Sequence, residues 1–251
     1  MGWIGSAIIV LVGSLLYLTN RFPNLRISHF SHKRDTKAPA MAATEPSPQS
    51  TRLQTPPTPP TPPTRPMRII VAMTGATGAI LGIRLLERLR EMNVETHLVI
   101  SRWAVETIKY ETKYTANDVR ALATRCYPVN DAAAAISSGS FQADGMIIVP
   151  CSMRTLSAVR TGFADDLICR AADVTLKERR KLVLVVRETP LSGIHLENML
   201  DLTRYGAVIF PPMPAFYTMP ESVDDIVTQS VGRMLDMFGL DAGNFERWDG
   251  F

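Results

Sequence analysis

Cysteine is scarce in this sequence, since its 251 residues include only Cys126, Cys151 and Cys169. An odd number of cysteines without framework spacing argues against a small secreted protein held together by disulfides. Acidic residues are almost absent from the first 66 residues, which hold seven Lys and Arg but only Asp35 and Glu45. These 66 residues therefore carry a formal charge of +5 and the rest carry −2, for a total of +3. A basic folded domain that binds nucleic-acid phosphates is not supported, so no nucleic-acid partner is expected.

No Lys or Arg precedes the apolar run of residues 3–18, which is 16 residues long. A comfortable membrane span needs about 20 residues. The missing positive charge disfavours a secretory signal, whereas the basic, acid-poor stretch that follows the run is typical of a mitochondrial presequence. We therefore predict that residues 1–37 direct the protein to the mitochondrion. An uncleaved anchor that contacts a membrane through residues 3–18 is the alternative.

Proline is concentrated before Met67, where 11 of the 18 prolines occur, most of them between Pro56 and Pro66. Each proline ring removes a backbone donor and restricts the residue before it, so this run forms neither a helix nor a central strand. Residues 38–66 are predicted to be an extended, disordered linker, and a binding site for a proline-recognising module is the alternative. The folded domain is then 67–251, which is long enough for one substantial core.

Short apolar runs alternate with helical patterns after residue 67. The first unit reads RIIVAM, TGATGA and ILGIRLLERLREM, which predicts a strand, a turn and an amphipathic helix. Further strands are predicted at 95–101, 145–149, 182–186 and 207–210. Strands that are apolar throughout are buried on both faces, so we predict an α/β three-layer sandwich with a mainly parallel sheet.

Ligand chemistry is expected just beyond the carboxyl ends of such strands. The loop Thr74–Ala79 leads into a helix N-terminus, where backbone amides and the helix dipole favour a phosphate. The loop lacks the third glycine of the dinucleotide fingerprint, and a plain tight turn is the alternative. The segment Pro150–Leu156 offers a second cradle of hydroxyls and amides, although Ser152 would also serve as a simple helix cap. Cys151 is predicted to be a small buried residue and not a nucleophile.

Two further segments carry charged or aromatic groups. Arg187 and Glu188 follow the strand at 182–186, where a guanidinium can hold a phosphate and a carboxyl can move protons. A mutual ion pair that closes the strand is the alternative. Tyr217 lies in a stiff proline-rich loop after the last strand. The basic run at 167–181 is most simply explained as a solvated helix face.

Six segments together resemble the UbiX flavin prenyltransferase family, whose fungal members also carry the name phenylacrylic acid decarboxylase. They are MTGATGA (73–79), VISRWA (99–104), PCSMRTL (150–156), RAADVTLKERR (170–180), RETPLSGIHLENML (187–200) and PAFYTMPESVDDIV (214–227). The resemblance implies a Rossmann-like or flavodoxin-like fold over residues 67–251. It also implies an enzyme that joins the dimethylallyl group of dimethylallyl phosphate to N5 and C6 of reduced FMN. The implied partners are a UbiD-type decarboxylase, as recipient of the prenylated FMN, and further copies of the chain, typically forming a dodecamer with sites at subunit contacts.

The same resemblance implies roles for individual residues. Those implied for FMN are Gly75, Ala76, Thr77, Ser101, Ser152, Met153, Arg154, Thr155 and Arg187. Those implied for dimethylallyl phosphate are Arg170, Lys177, Tyr217, Arg233 and Trp248. Those implied for catalysis are Glu111, Lys177 and Glu188, with Glu188 as the proton shuttle. Thr77 departs from the serine that is commonest at its position but keeps a hydroxyl, and Trp248 is alternatively a rim residue that packs across a subunit contact.

No metal is expected, because the sequence has no DDxxD-type carboxylate cluster, and this absence suits a monophosphate donor. Two other functions are considered. A flavin-dependent cysteine decarboxylase is disfavoured, because its PxMNxxMW segment corresponds here to PPMPAFYTMP. A non-catalytic flavin-binding regulatory subunit is disfavoured by the joint presence of Lys177, Glu188, Tyr217 and Arg233.

Overall fold

The structure is a computed structural model that describes residues 65–243 and 245–250. The predicted targeting segment (1–37) and all but the last two residues of the predicted linker (38–66) lie outside the described residues. Within the described ranges, no helix has the length and apolar character needed to cross a membrane.

One six-stranded sheet forms the centre of the described part of the chain. Its strands are β1 Arg68–Met73, β2 Glu95–Ile100, β3 Arg125–Tyr127, β4 Gly145–Cys151, β5 Lys181–Val186 and β6 Val208–Ile209. Their order is β3-β2-β1-β4-β5-β6, and every neighbouring pair is parallel. The predicted α/β fold with a parallel sheet is confirmed. Because β1 has β2 on one side and β4 on the other, the switch point of the sheet lies between β1 and β4.

Seven α-helices connect these strands in the same described ranges. They are α1 Ala79–Glu91, α2 Arg102–Glu111, α3 Ala116–Leu122, α4 Met153–Thr161, α5 Leu167–Lys177, α6 Gly193–Arg204 and α7 Val223–Asp236. Short 3-10 turns occur at Ala135–Ser137 and Phe216–Thr218. Serine side chains cap α2, α4, α6 and α7, because a serine hydroxyl accepts a hydrogen bond from an otherwise unpaired first-turn amide.

The two faces of the sheet are buried in two separate apolar clusters. Val71 and Met73 of β1 pack on the face that α1 and α7 cover, whereas Ile70 and Ala72 pack on the face that α4 and α5 cover. This alternation follows from strand geometry, in which successive side chains point to opposite faces. The uninterrupted apolar runs of the sequence therefore correspond to strands that are buried on both sides.

Three strands differ from the sequence-based expectation. The pattern does not predict β3, because Arg125–Tyr127 contains no apolar run. Among the described strands, β3 pairs with β2 alone. β4 continues past the predicted residue 149 to Cys151, with an irregular register between Ile148 and Cys151. Pro150 lies in this irregular step, where its lack of an N–H group is tolerated. β6 is shorter than the predicted 207–210.

Candidate functional site

The loops after β1 and β4 are tied together at the switch point. The Thr74 hydroxyl donates to the Pro150 carbonyl oxygen at 2.8 Å and accepts from the Ser152 backbone N–H at 2.8 Å. Thr74 is buried, so these two bonds form away from bulk water. The loops after β1 and β4 are therefore held together at the carboxyl edge of the sheet, where a ligand is expected.

The N-terminus of α1 already holds an anionic side chain. Glu111, at the end of α2, accepts hydrogen bonds at Oε2 from the backbone N–H groups of Gly78 (2.8 Å) and Ala79 (3.0 Å). The first amides of a helix lack partners within the helix and attract an anion. Glu111 accepts from these two amides in this structure, and a phosphate at this helix N-terminus stays a prediction.

Gly75 lies against the first turn of α2. A Cβ atom at this position would be 2.3 Å from the Cβ of Trp103, so the backbone approaches more closely than any other residue would allow. The Ala76 backbone N–H donates to the Thr74 carbonyl oxygen at 3.0 Å, and the Thr77 side chain is exposed. The tight-turn alternative for this loop is therefore observed, and Gly75 and Thr77 are exposed in it.

Ser101 and Ser152 begin α2 and α4 at the same edge of the sheet. Ser101 Oγ accepts from the Ala104 backbone N–H at 3.1 Å, and Ser152 Oγ accepts from the Thr155 backbone N–H at 3.4 Å. The cap interpretation of Ser152 is therefore observed. A hydroxyl that accepts in this way keeps its own hydrogen for another acceptor. Arg154, in the first turn of α4, pairs instead with Asp165 at 2.9 Å, and its side chain is largely exposed.

The Cys151 thiol is completely buried between these loops. Burial raises its pKa to about 12, because a thiolate loses hydration in an apolar environment. The thiolate is the nucleophilic form of cysteine. The prediction that Cys151 is a small buried residue is confirmed, and its raised pKa disfavours the nucleophilic form.

Arg187 and Glu188 are exposed directly beyond the carboxyl end of β5. The Arg187 backbone N–H donates to the Cys151 carbonyl oxygen at 3.3 Å, which places it beside the end of β4. The Thr189 backbone N–H donates to Glu188 Oε1 at 3.0 Å. Within the described ranges, no ion pair joins Arg187 to Glu188, so the mutual ion pair is not observed. Both residues lie at the edge where a ligand is expected.

A second group of predicted site residues lies along α7. The rings of Tyr217 and Trp248 meet edge to face, with centroids 5.6 Å apart, and the Tyr217 hydroxyl accepts from Gln229 Nε2 at 3.4 Å. Arg233 follows Gln229 by one helical turn and therefore lies on the same side of α7. Arg233 pairs with Asp236 at 2.7 Å. We call Tyr217, Arg233 and Trp248 the α7 group.

Two further predicted site residues lie on α5, with Arg170 near its start and Lys177 at its end. Lys177 ends this helix and pairs with its neighbour Glu178, whereas Arg170 pairs with Asp173 at 2.9 Å. Lys177 is near the amino end of β5, and Glu188 lies beyond its carboxyl end. The whole length of β5, six residues, lies between them along the sheet. This length corresponds to about 20 Å. One protomer therefore does not bring Lys177 and Glu188 together.

Comparison with known proteins places the chain among flavoproteins. Residues 58–235 match the Flavoprotein family. The mitochondrial flavin prenyltransferase PAD1 of Saccharomyces cerevisiae is 65% identical over 170 residues, which cover 68% of this chain and 70% of that protein. The chain belongs to the UbiX flavin prenyltransferase family.

Solved relatives of this flavin prenyltransferase share its fold. AnUbiX (PadA1), crystallised in complex with FMN and dimethylallyl pyrophosphate, is 67% identical with a TM-score of 0.74, and the match covers 74% of this chain and 100% of that one. A dodecameric FMN-dependent UbiX-like decarboxylase from Escherichia coli O157:H7 is 63% identical with a TM-score of 0.73, over 73% of this chain and 100% of that one. The predicted family, the FMN dependence and the Rossmann-like or flavodoxin-like fold are confirmed.

The groups at the carboxyl edge fit FMN. Arg187 and Ser101 present donors, and Gly75 gives a ligand close access to the backbone. The position of Glu111 shows that this edge attracts a negative group, while the N-termini of α2 and α4 provide further amides beside the same crevice.

One cluster of metal-ligand types occurs among the described residues, formed by Asp165, Asp166 and Cys169 within 4.8 Å of one another. Asp166 caps α5 by accepting from the Cys169 backbone N–H at 2.8 Å, and Asp165 pairs with Arg154. Burial raises the pKa of the Cys169 thiol, which disfavours the thiolate that a metal needs. The cluster therefore has a structural explanation, and metal independence stays a prediction.

Sequence reasoning assigned no individual role to three residues that organise the site: Thr74, Gln229 and Asp236. A hydroxyl directly after a buried strand could have indicated Thr74. A glutamine at a buried position of the α7 pattern could have indicated Gln229. Nothing in the sequence indicates that Asp236 joins two arginines.

Proposed function

We propose that this flavin prenyltransferase transfers the dimethylallyl group of dimethylallyl phosphate to N5 and C6 of reduced FMN without a metal. The α7 group carries this proposal, because it combines the phenol of Tyr217, the guanidinium of Arg233 and the aromatic face of Trp248. A departing allylic phosphate requires cationic and O–H donors, and aromatic faces stabilise the allylic cation that remains.

FMN is proposed to bind at the carboxyl edge of the sheet through the nine residues that the family resemblance implies, from Gly75 to Arg187. When bound and reduced, the flavin supplies the two nucleophilic atoms. The Arg187 guanidinium, without an ion-pair partner in the described ranges, is available to an acceptor on the cofactor. Glu188 is proposed to carry the proton that ring closure releases towards the departing phosphate, because it is the carboxyl group next to Arg187.

We propose that protomers share the phosphate site. Lys177 is too far along the sheet from Glu188 within one chain, so a neighbouring copy would supply it. The exposed apolar side chains of Ile194, Leu196 and Leu200 on α6 support an association between copies. The dodecameric relative from Escherichia coli supports a dodecamer here.

Mass spectrometry tests the proposed reaction. The full chain, given reduced FMN and dimethylallyl phosphate without oxygen, is expected to yield a flavin heavier by one dimethylallyl group. A parallel reaction with dimethylallyl pyrophosphate, the ligand of the solved relative, distinguishes the two donors. Glu188→Gln is expected to retain FMN and to slow turnover by about 10²-fold or more, the range for loss of a general acid–base group. No mass increase with either donor would overturn the proposal.

The recipient and the location are also proposed. Prenylated FMN would pass to a UbiD-type decarboxylase, which would act either on phenylacrylic or ferulic acid or in a ubiquinone pathway.

The mitochondrial yeast relative and the basic, acid-poor composition of residues 1–37 support a mitochondrial protein. Residues 1–37 would be the targeting segment, 38–66 the linker and 67–251 the catalytic domain. A C-terminal fluorescent fusion should reach mitochondria only when residues 1–37 are present, and the same distribution without them would contradict this assignment.

A further inference from the structure

The C-terminal segment, residues 245–250, is attached to α7 at three points. The Phe245 ring lies over Gly232, where a Cβ atom would be only 2.2 Å from the ring. Arg247 binds Asp236 at the end of α7, and Trp248 meets Tyr217. These contacts hold the segment that carries Trp248 against α7, including the last turn of that helix.

Arg247 makes the polar attachment. Its Nη1 and Nη2 donate to the two carboxylate oxygens of Asp236, both at 2.8 Å, and Nη2 also donates to Asp241 at 3.0 Å. The hydrogen bonds from Arg247 hold the pKa of Asp236 below its usual range, so the pair stays ionised. A planar guanidinium that binds both oxygens of one carboxylate also fixes the orientation of the two side chains relative to each other. An ion pair with one contact does not fix it.

Asp236 links this attachment to a predicted substrate residue. Its Oδ2 atom accepts from Arg247 and from Arg233, at 2.8 and 2.7 Å. Asp236 is largely buried, and it therefore restrains the Arg233 guanidinium at the end of α7. An arginine has five N–H donors, so the others on Arg233 stay available to a phosphate.

We propose that Arg247 is a positioning residue, whose two-point bond to Asp236 holds Trp248 against Tyr217 and sets the place of Arg233 for the prenyl phosphate. The inference rests on the proposed prenyl transfer, in which Tyr217, Arg233 and Trp248 bind the donor. Arg247 acts through these residues. Its loss should therefore weaken binding of the donor and leave binding of FMN, which uses other elements, unchanged.

Two variants loosen the C-terminal segment by different means. Arg247→Met keeps an unbranched side chain and removes both bonds to Asp236. Gly232→Ala places a methyl group where the Phe245 ring lies, while alanine favours the helix over glycine by about 1 kcal/mol. Arg65→Met is the matched control, since Arg65 also makes a two-point pair with a carboxylate, that of Asp144, at the amino end of β4.

Steady-state kinetics and FMN titration provide the first test. Arg247→Met and Gly232→Ala are expected to raise KM for dimethylallyl phosphate about tenfold, which corresponds to the loss of about 1.4 kcal/mol. The Kd for FMN should remain that of the wild type. Arg247→Lys should recover part of the effect because it retains one charged contact, and Arg65→Met should change neither constant. An unchanged KM in Arg247→Met, or an equal loss of FMN binding, would overturn the inference.

Tryptophan emission provides a readout that does not depend on activity. Each variant is compared with the same variant carrying Trp248→Phe, and the difference spectrum reports the surroundings of Trp248. Release of the segment should shift this emission to the red and make it more accessible to acrylamide. An unshifted difference spectrum in Arg247→Met would overturn the inference even if the wild type proved inactive, whereas inactivity alone would contradict only the proposed reaction.

Discussion

The Glu111 carboxylate accepts hydrogen bonds from the backbone N–H groups of both Gly78 and Ala79, at 2.8 and 3.0 Å. This contact joins the end of α2 to the start of α1 across the loop that follows β1. Glu111 is therefore a helix cap as well as a predicted catalytic residue. The two roles are separable, because a cap requires an acceptor oxygen and proton transfer requires a carboxyl group.

Substitution of Glu111 by Gln and by Ala should separate these roles. Glu111→Ala removes the acceptor and is expected to lower the free energy of unfolding by about 1 kcal/mol. Glu111→Gln retains an acceptor oxygen and should lose less. If Glu111 also transfers a proton, both variants should turn over slowly. Urea denaturation and prenyl transfer, measured on the same samples, check this, and wild-type turnover in Glu111→Gln would restrict Glu111 to the structural role.

Gly75→Ala is expected to weaken FMN binding, because the new methyl group would lie 2.3 Å from the Trp103 Cβ and force the loop or α2 to move. Overpacking of this kind costs about 1–3 kcal/mol. FMN titration and thermal unfolding measure the effect. Gly193→Ala, at a position with open space around it, is the matched control and should bind FMN normally.

A second substitution provides a rescue. Trp103→Gly removes the atom that the new methyl group would meet, so Gly75→Ala combined with Trp103→Gly should bind FMN more tightly than Gly75→Ala alone. If the double variant binds no better, the close approach between these two residues is not what requires glycine at position 75.

Mixed oligomers test whether protomers share the site. Lys177→Ala and Glu188→Gln should each be nearly inactive alone. If one copy supplies Lys177 to the Glu188 of another, random co-assembly of the two variants should restore about a quarter of the sites. Activity is measured after the variants are co-expressed and purified through two different tags. Activity no higher than that of the separately purified variants would place both residues in one protomer's site or outside it.

His97 is a buried titratable group on β2, outside the proposed flavin and phosphate sites. Nδ1 lies 2.8 Å from the Tyr127 hydroxyl and Nε2 lies 2.9 Å from Glu95, which also pairs with Arg68. Burial lowers the pKa of His97 below its ordinary value of 6.5, and the bond to Glu95 opposes this shift. The charges of Arg68 and Arg125 lower the pKa further. The neutral imidazole is therefore the form that the fold prefers.

The sign of the pH dependence follows from this preference. Because the folded pKa is the lower one, the unfolded chain binds the proton more readily, and stability is lost as the pH falls below about 6.5. His97→Gln keeps a donor and an acceptor without titrating, so its stability should fall less than that of the wild type between about pH 7.5 and about pH 5.5. Urea midpoints at the two values measure this, and Tyr127→Phe should keep the wild-type pH dependence. Equal losses in wild type and His97→Gln would contradict the assignment.

The sequence predicts those site residues whose position depends on a single strand–loop–helix unit. Gly75 and Ser152 lie where the apolar runs end, because a buried parallel strand must deliver its loop to the carboxyl edge. The short strand at 125–127 could not be predicted, since three residues, two of them exposed, carry no periodic signal. The separation of Lys177 from Glu188 depends on how α5 runs along the sheet, which a motif does not encode. Glu111 bonds to Gly78 and Ala79, which lie 33 and 32 residues before it in the chain. A contact between such distant positions has no local sequence pattern.

Both outer strands of the sheet are very short, with three residues in β3 and two in β6. Long unpaired edges invite other chains to extend a sheet, and short ones offer few backbone groups for such pairing. Copies of this chain therefore have little opportunity to join through continuous β-structure. The proposed association would therefore use side-chain surfaces such as that of α6 and would not extend the sheet from one copy to the next.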